Sequence, residues 1–254
     1  MAARKRTTDV ALLERLWTFG RAELGALAAL FIAGLGVSIF LWIADEMQEE
    51  GPHGIDERVL MFLRPGANPH DALGPAWLQQ AATELTTLGG TTNLSLIVLI
   101  AIAFLLLHRR VASALFVLTA VLGGTGISEI IKAMFGRDRP PLIYRAVVST
   151  NASFPSGHAM LSTITYLTLG ALLAQVMPGR RQKVFVFTTA VILALIIGAS
   201  RVYLGVHWLT DVLAGWSLGA AWAMICWLAA WSIRRFLMRH ATPVSEPPVQ
   251  EQPS

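Results

Sequence analysis

The sequence contains one cysteine, Cys226, in 254 residues, and it lies inside an apolar run. An intramolecular disulfide and a cysteine metal cluster are therefore excluded, and Cys226 reads as a small buried hydrophobe. Charge is equally scarce, at 14% of residues against 54% hydrophobic. With a mean hydropathy of +0.57 the chain is too oily for a soluble globule, so the reference solvent becomes the bilayer. A net charge of +4 would suit nucleic acid, but the basic residues fall in short clusters between apolar runs rather than along one polar face, which argues against it. The first strong apolar run begins near Ala22, is too long for a signal h-region and lacks an A-x-A-like exit. It is expected to remain as an anchor. No internal repeat is visible.

What is present is a series of apolar segments. A helix rising about 1.5 Å per residue needs ~20 apolar residues to cross a hydrocarbon core. Six segments meet or approach that, at 22–44, 91–107, 111–133, 159–177, 184–201 and 209–233, the second being the shortest. The expectation is an all-α polytopic membrane protein with six transmembrane helices. Residues 1–21 form a cytoplasmic N-terminal segment, 22–235 the membrane domain and 236–254 a proline-rich, disordered cytoplasmic tail. The first outer loop, 45–90, mixes apolar residues with proline and glycine between Ile55 and Leu88, and should form short interfacial helices with Trp77 at headgroup depth.

Lysine and arginine set the orientation. Arg4, Lys5, Arg6, Arg15 and Arg21, then Arg109 and Arg110, then Arg180, Arg181 and Lys183, then Arg234, Arg235 and Arg239 mark alternate connections as cytoplasmic. The opposite set opens with an acidic loop. Both termini are then inside, and the arginines of the loop from Met134 to Ser156 sit on the wrong side for the charge rule, which points to a local task.

Three polar clusters fall on that outer side: Lys132 to Pro140, Pro155 to His158, and Ser200 to Asp211. Ionisable residues at the ends of membrane helices mark functional sites. His207 and Asp211 are four apart at the start of the sixth helix and share a face. The aspartate can accept the Nδ1 proton and leave Nε2 as a nucleophile, which makes His207 the candidate for a covalent phosphohistidine. A structural His–Asp bond is the plain alternative. His158 follows Ser156, a natural N-cap, and Gly157, which lets backbone approach an anion. There it can protonate a leaving oxygen and later activate water. Lys132, Arg139 and Arg201 supply permanent positive charge for phosphoryl oxygens, against the plain alternative of snorkelling to headgroups. Metal binding is the weaker reading, because these cations would repel a divalent ion. Arg137 and Arg145 read as lipid headgroup contacts, Asp138 as a partner for Arg137 or Arg139, and Glu129 as a helix-face partner of Lys132.

Taken together, Lys132-x6-Arg139-Pro140, Pro155-Ser156-Gly157-His158 and Ser200-Arg201-x5-His207-x3-Asp211 resemble the three-part signature of the type 2 phosphatidic acid phosphatase (PAP2) superfamily. The resemblance implies a helical-bundle phosphatase that needs no metal or other cofactor. His207 would be the nucleophile, Asp211 its orienting partner and His158 the acid. Lys132, Arg139, Arg201, Ser156 and Gly157 would hold the phosphate. Six spans favour the lipid phosphatase branch, acting on undecaprenyl pyrophosphate, phosphatidylglycerophosphate or phosphatidic acid from a bacterial inner membrane. A lipid phosphotransferase using the same phosphohistidine, and a non-catalytic anion-binding or transport protein, are the alternatives.

Overall fold

The computed structural model describes residues 2–50, 54–66, 68–147 and 151–240, with side chains of the first helix described from Glu23 to Met47. The expected tail at Ala241 to Ser254, and the side chains of Arg4, Lys5, Arg6, Arg15 and Arg21, lie outside the described residues. The described residues form eight α-helices in order: α1 Ala2–Glu50, α2 Ile55–Phe62, α3 Ala76–Thr87, α4 Thr91–Leu107, α5 Val111–Phe135, α6 Gly157–Val176, α7 Arg180–Tyr203 and α8 Leu209–His240, with a 3-10 turn at Leu142–Tyr144. No strand occurs among the described residues. Helices are what lipid demands, because each satisfies its own backbone polar groups where water is absent.

Among the described residues, five segments are long and apolar enough to cross a bilayer: Glu23–Met47 of α1, then α5, α6, α7 and α8. The sixth expected span is less simple. α4 has 17 residues and reaches spanning length only with α3, from which it is bent by 45° at the Leu88–Gly90 break. The helix α1 is continuous through residues 21 and 22, and α8 continues past residue 235 to His240.

The ends of the helices are set by residues that cannot continue them. α5 stops at Gly136, whose φ of 57° places it in the left-handed C-cap conformation, and Pro140 and Pro141 keep the following loop extended. Between α7 and α8 the chain turns at Gly205, also left-handed, with φ 67°.

Helix α8 is the spine. α1 lies along it, and α5, α6 and α7 pack around it. The α6–α8 contact is made by small residues: a Cβ on Gly215 or Gly219 would stand 2.8 Å from the carbonyl oxygen of Ser156 or Met160. Membrane helices approach closely through such positions, and here the approach brings the starts of α6 and α8 side by side. Below them Phe154 stacks on Phe40 of α1 at 5.6 Å and tilts against Phe135 of α5 at 5.0 Å. Cys226 is a free thiol buried with Ala120, Met160 and Ile164. In the segment 45–90, α2 and α3 are short, and Trp77 projects an exposed indole.

Candidate active site

All three polar clusters meet at one end of the bundle, and direct bonds join them. The Ser153 N–H donates to the Arg137 carbonyl at 2.8 Å, the Ser156 N–H to the Asp211 carbonyl at 3.0 Å, and the Trp208 indole N–H to the Asp138 carbonyl at 2.9 Å.

At the centre His207 Nδ1 faces Asp211 Oδ2 at 3.3 Å, both side chains buried. Asp211 Oδ2 also accepts the Trp208 N–H at 2.9 Å, which closes the first turn of α8 in the manner of a capping box, and the Ser153 hydroxyl. On the other side of the imidazole, Arg139 Nη1 lies 3.0 Å from His207 Nε2 and 2.8 Å from the Val206 carbonyl. Guanidinium groups only donate. Nε2 therefore presents a lone pair, and the ring proton sits on Nδ1, turned to Asp211. This is the tautomer a nucleophilic histidine needs. Burial pushes His207 down to about 4, against the opposing hydrogen bond and charge of Asp211, with Arg139 and Arg201 adding to the fall. The imidazole is consequently neutral at pH 7. Burial also lowers Arg139, with Asp211 opposing.

The remaining cations surround this pair. Lys132, in the last turn of α5, holds Glu129 at 2.7 Å, as their spacing predicts. A Cβ on Gly157 would stand 3.2 Å from Lys132 Nζ, so the missing side chain leaves that ammonium its place at the head of α6. His158 has its ring against the Gly89–Gly90 break, and Arg201, His207, Arg139 and Lys132 are the charged or titratable groups acting on it. Arg201 is buried at the end of α7 and donates to Thr86 Oγ1 at 3.2 Å.

Among the described residues, two buried polar atoms of the cluster motifs have no partner: Ser156 Oγ and Arg201 Nε. Ser156 occupies the N-cap position of α6, as expected, but its hydroxyl makes no capping bond. Its backbone instead is held by Asp211, which leaves the hydroxyl available. Buried groups in folded proteins are normally paired, and an anion with several oxygens would satisfy both atoms.

Two expectations are corrected. Arg137 does not face headgroups: its side chain is buried, with Nη1 2.5 Å from Asp211 Oδ1 and Nη2 2.8 Å from Asp56 Oδ2. Its partners are these two carboxylates rather than Asp138, whose side chain is exposed. Arg145 is half-buried and folds back to the Pro140 carbonyl at 2.5 Å. A buried arginine needs an acid, and α2 supplies one in Asp56.

Four further residues shape the site without belonging to a cluster motif. Asp56, in the first turn of α2, accepts the Thr210 N–H at 2.9 Å and the Thr210 hydroxyl at 2.6 Å. Ser153 and Thr86 contact Asp211 and Arg201 as described. Arg64 ties the segment between α2 and α3 down, donating from Nη2 to the Tyr144 and Tyr203 carbonyls at 3.0 Å each.

The sequence model of the PAP2 superfamily matches residues 113–235. A phosphatidylglycerophosphatase B of Bacillus subtilis is 33% identical over 147 residues, covering 56% of this chain and 70% of that protein. An undecaprenyl-diphosphatase of Sulfolobus acidocaldarius is 34% identical over 110 residues, 41% of this chain and 47% of the other. Among solved structures, a transmembrane PAP2 type phosphatidylglycerolphosphate phosphatase from Bacillus subtilis superposes with a TM-score of 0.71 at 28% identity, covering 79% of this chain and 98% of its own. Aquifex aeolicus LpxE shares the fold, with a TM-score of 0.54 at 18% identity over 69% of this chain and 96% of its own.

Proposed function

The chain belongs to the PAP2 superfamily, and on that footing we propose that it is an integral-membrane lipid phosphatase working through a phosphohistidine on His207. The observation that carries this reading is the lone pair of His207 Nε2, directed at Arg139 while Nδ1–H is held by Asp211.

In the first step the lipid phosphate enters among Lys132, Arg139 and Arg201, with the Ser156 hydroxyl and the free N–H groups at the start of α6 completing the cradle. Nε2 attacks phosphorus in line, the bond from phosphorus to the lipid oxygen breaks, and His158 gives that oxygen its proton. The positive charge that develops on His207 is stabilised by Asp211. In the second step His158 takes a proton from water, the hydroxide attacks phosphorus, and the P–N bond breaks to release inorganic phosphate and neutral His207. The fixed cations supply the charge stabilisation that a metal ion gives other phosphoryl-transfer enzymes.

The site faces outward and both termini lie in the cytoplasm, by the distribution of lysine and arginine. A bacterial inner membrane is the setting, and the substrate arrives laterally from the outer leaflet. Phosphatidylglycerophosphate and undecaprenyl pyrophosphate are the first lipids to test, since relatives carry those names, with phosphatidic acid third. Purified protein in EDTA should release phosphate from one of them, vanadate should inhibit, and His207→Ala should be inactive. Phosphate release by that variant at the wild-type rate overturns the mechanism. Transfer of labelled phosphate to a second lipid, in place of release, selects the phosphotransferase reading.

A further inference from the structure

A buried charge relay extends beyond the motif residues. Asp56, Arg137 and Asp211 form a line: both guanidinium ends of Arg137 are taken by carboxylates, at 2.8 Å and 2.5 Å, with 3% and 0% of the two acid side chains exposed. Arg137 also donates to the Thr210 hydroxyl at 2.9 Å and lies over the Trp208 ring, 5.8 Å from its centroid. Asp56 in turn accepts the Thr210 N–H, at the positive end of α8. Desolvating three charges is costly and is sustained only when each is paired and hydrogen-bonded, as here.

The arrangement divides the Asp211 carboxylate between two tasks. Oδ1 is committed to Arg137, which fixes the rotation of the group. Oδ2 is thereby presented to His207, Ser153 and the Trp208 N–H. We propose that Asp56 and Arg137 are positioning residues for the phosphoryl transfer, with the outer-loop helix α2 fixing through them the carboxylate that orients the nucleophile. This rests on the reading of His207 as nucleophile. Neither residue touches the phosphate; Arg137 acts on Asp211, and Asp56 acts on Arg137.

Asp56 and Arg137 differ in sign, which gives a test that folding alone cannot mimic. The acid limb of the kcat profile reports the loss of the His207 lone pair. Asp211, Arg139 and Arg201 act on His207 directly, His207 in turn acts on His158, and Arg137 and Asp56 reach His207 through Asp211. Deleting the Arg137 cation makes the imidazolium easier to form, so the limb moves to higher pH. Deleting the Asp56 anion does the reverse, and it also lets Arg137 draw more of the Asp211 charge away from the developing imidazolium.

The measurement is phosphate release from whichever of the three named lipids wild type turns over fastest, from pH 3 to 9, with Arg137→Gln, Asp56→Asn and His207→Ala, each checked by thermal melting. Arg137→Gln should lose about 100-fold in kcat, the effect of a misplaced catalytic group. Asp56→Asn should lose about tenfold, the effect of one lost charge-assisted hydrogen bond. KM should stay within about twofold for both, and the acid limbs should move in opposite directions. A folded variant with wild-type kcat, a limb that stays put, or two limbs moving the same way overturns the proposal. If Arg137→Gln fails to fold, Asp56→Asn decides alone. An active His207→Ala instead overturns the nucleophile reading and leaves the two failures distinguishable.

Discussion

Arg139 donates to His207 Nε2 across 3.0 Å, so the atom that would attack phosphorus and the guanidinium that would bind the phosphate are already paired with each other. On the proposed mechanism, an arriving phosphoryl group would take over that guanidinium and uncover the lone pair in one motion, so that binding and activation would be the same event. Arg139→Lys keeps the charge but not the fork, and should therefore raise KM and lower kcat together. A combined loss of about 100-fold in kcat/KM is expected from a missing bidentate contact. Steady-state kinetics on the preferred lipid will read it, and an unchanged kcat would separate binding from activation.

The pH profile should be displaced toward acid. His207 has its ordinary value of 6.5 lowered to about 4. A lowered imidazole is neutral, and able to attack, above its folded value. Activity should thus persist well below pH 6 and fall off only as pH drops through about 4. The same shift makes the unfolded chain the better proton acceptor between those values, so His207 costs stability progressively as pH falls from 6.5 to 4 and adds nothing to the pH dependence above that window. Initial rates and melting temperatures measured across pH 3 to 8 check both statements.

Ser153 is a hydrogen-bond partner of Asp211. Its hydroxyl donates to Asp211 Oδ2 and stands 3.4 Å from His207 Nδ1. Ser153→Ala should reduce kcat by about tenfold, with KM unchanged, since one hydrogen bond to a charged group is lost. A change confined to KM would place Ser153 on the substrate instead.

Thr86 holds Arg201 from the opposite side of the site. Thr86→Val retains the shape and removes the acceptor, leaving a buried guanidinium with fewer partners. KM should rise about five- to tenfold with little effect on kcat. Isothermal titration with inorganic phosphate or vanadate should show the same loss of affinity.

Gly219 tests the scaffold. A Cβ there meets the Met160 carbonyl at 2.8 Å and the Thr163 Cβ at 3.0 Å. Gly219→Val should push α6 from α8 and destabilise the protein by about 1–3 kcal/mol, the usual cost of overpacking. Because the same contact aligns the starts of both helices, activity should fall further than the lost fraction of folded protein explains.

How much of this was legible in the sequence follows from distance along the chain. The pairs Glu129–Lys132 and His207–Asp211 sit three and four residues apart, and helix geometry alone brings them together. The long apolar runs likewise announce their helices. Asp56 meets its partners 81 and 154 residues away, and Thr86 meets Arg201 115 residues away, so no local pattern carries either. Arg137 reads in the sequence as a headgroup contact because an arginine beside a membrane helix has headgroups as its nearest plausible partner, and only the fold reveals two carboxylates nearer. Ser156 stands where an N-cap belongs, yet its hydroxyl is turned elsewhere, a matter of rotamer that residue type does not encode. The short α4 reflects a chain that bends at Gly89–Gly90 to admit His158, where hydropathy registers only a segment on the edge of sufficiency.

The match to the family covers residues 113–235, whereas Asp56 and Thr86 lie before it. A chimera that kept residues 91–254 and took its first ninety from a relative would carry every signature residue intact. It would nonetheless inherit a foreign counter-ion for Arg137 and a foreign acceptor for Arg201. Successful exchange of the segment before α4 among such enzymes should accordingly depend less on the shape of the graft than on whether it returns one carboxylate and one hydroxyl to the same two arginines.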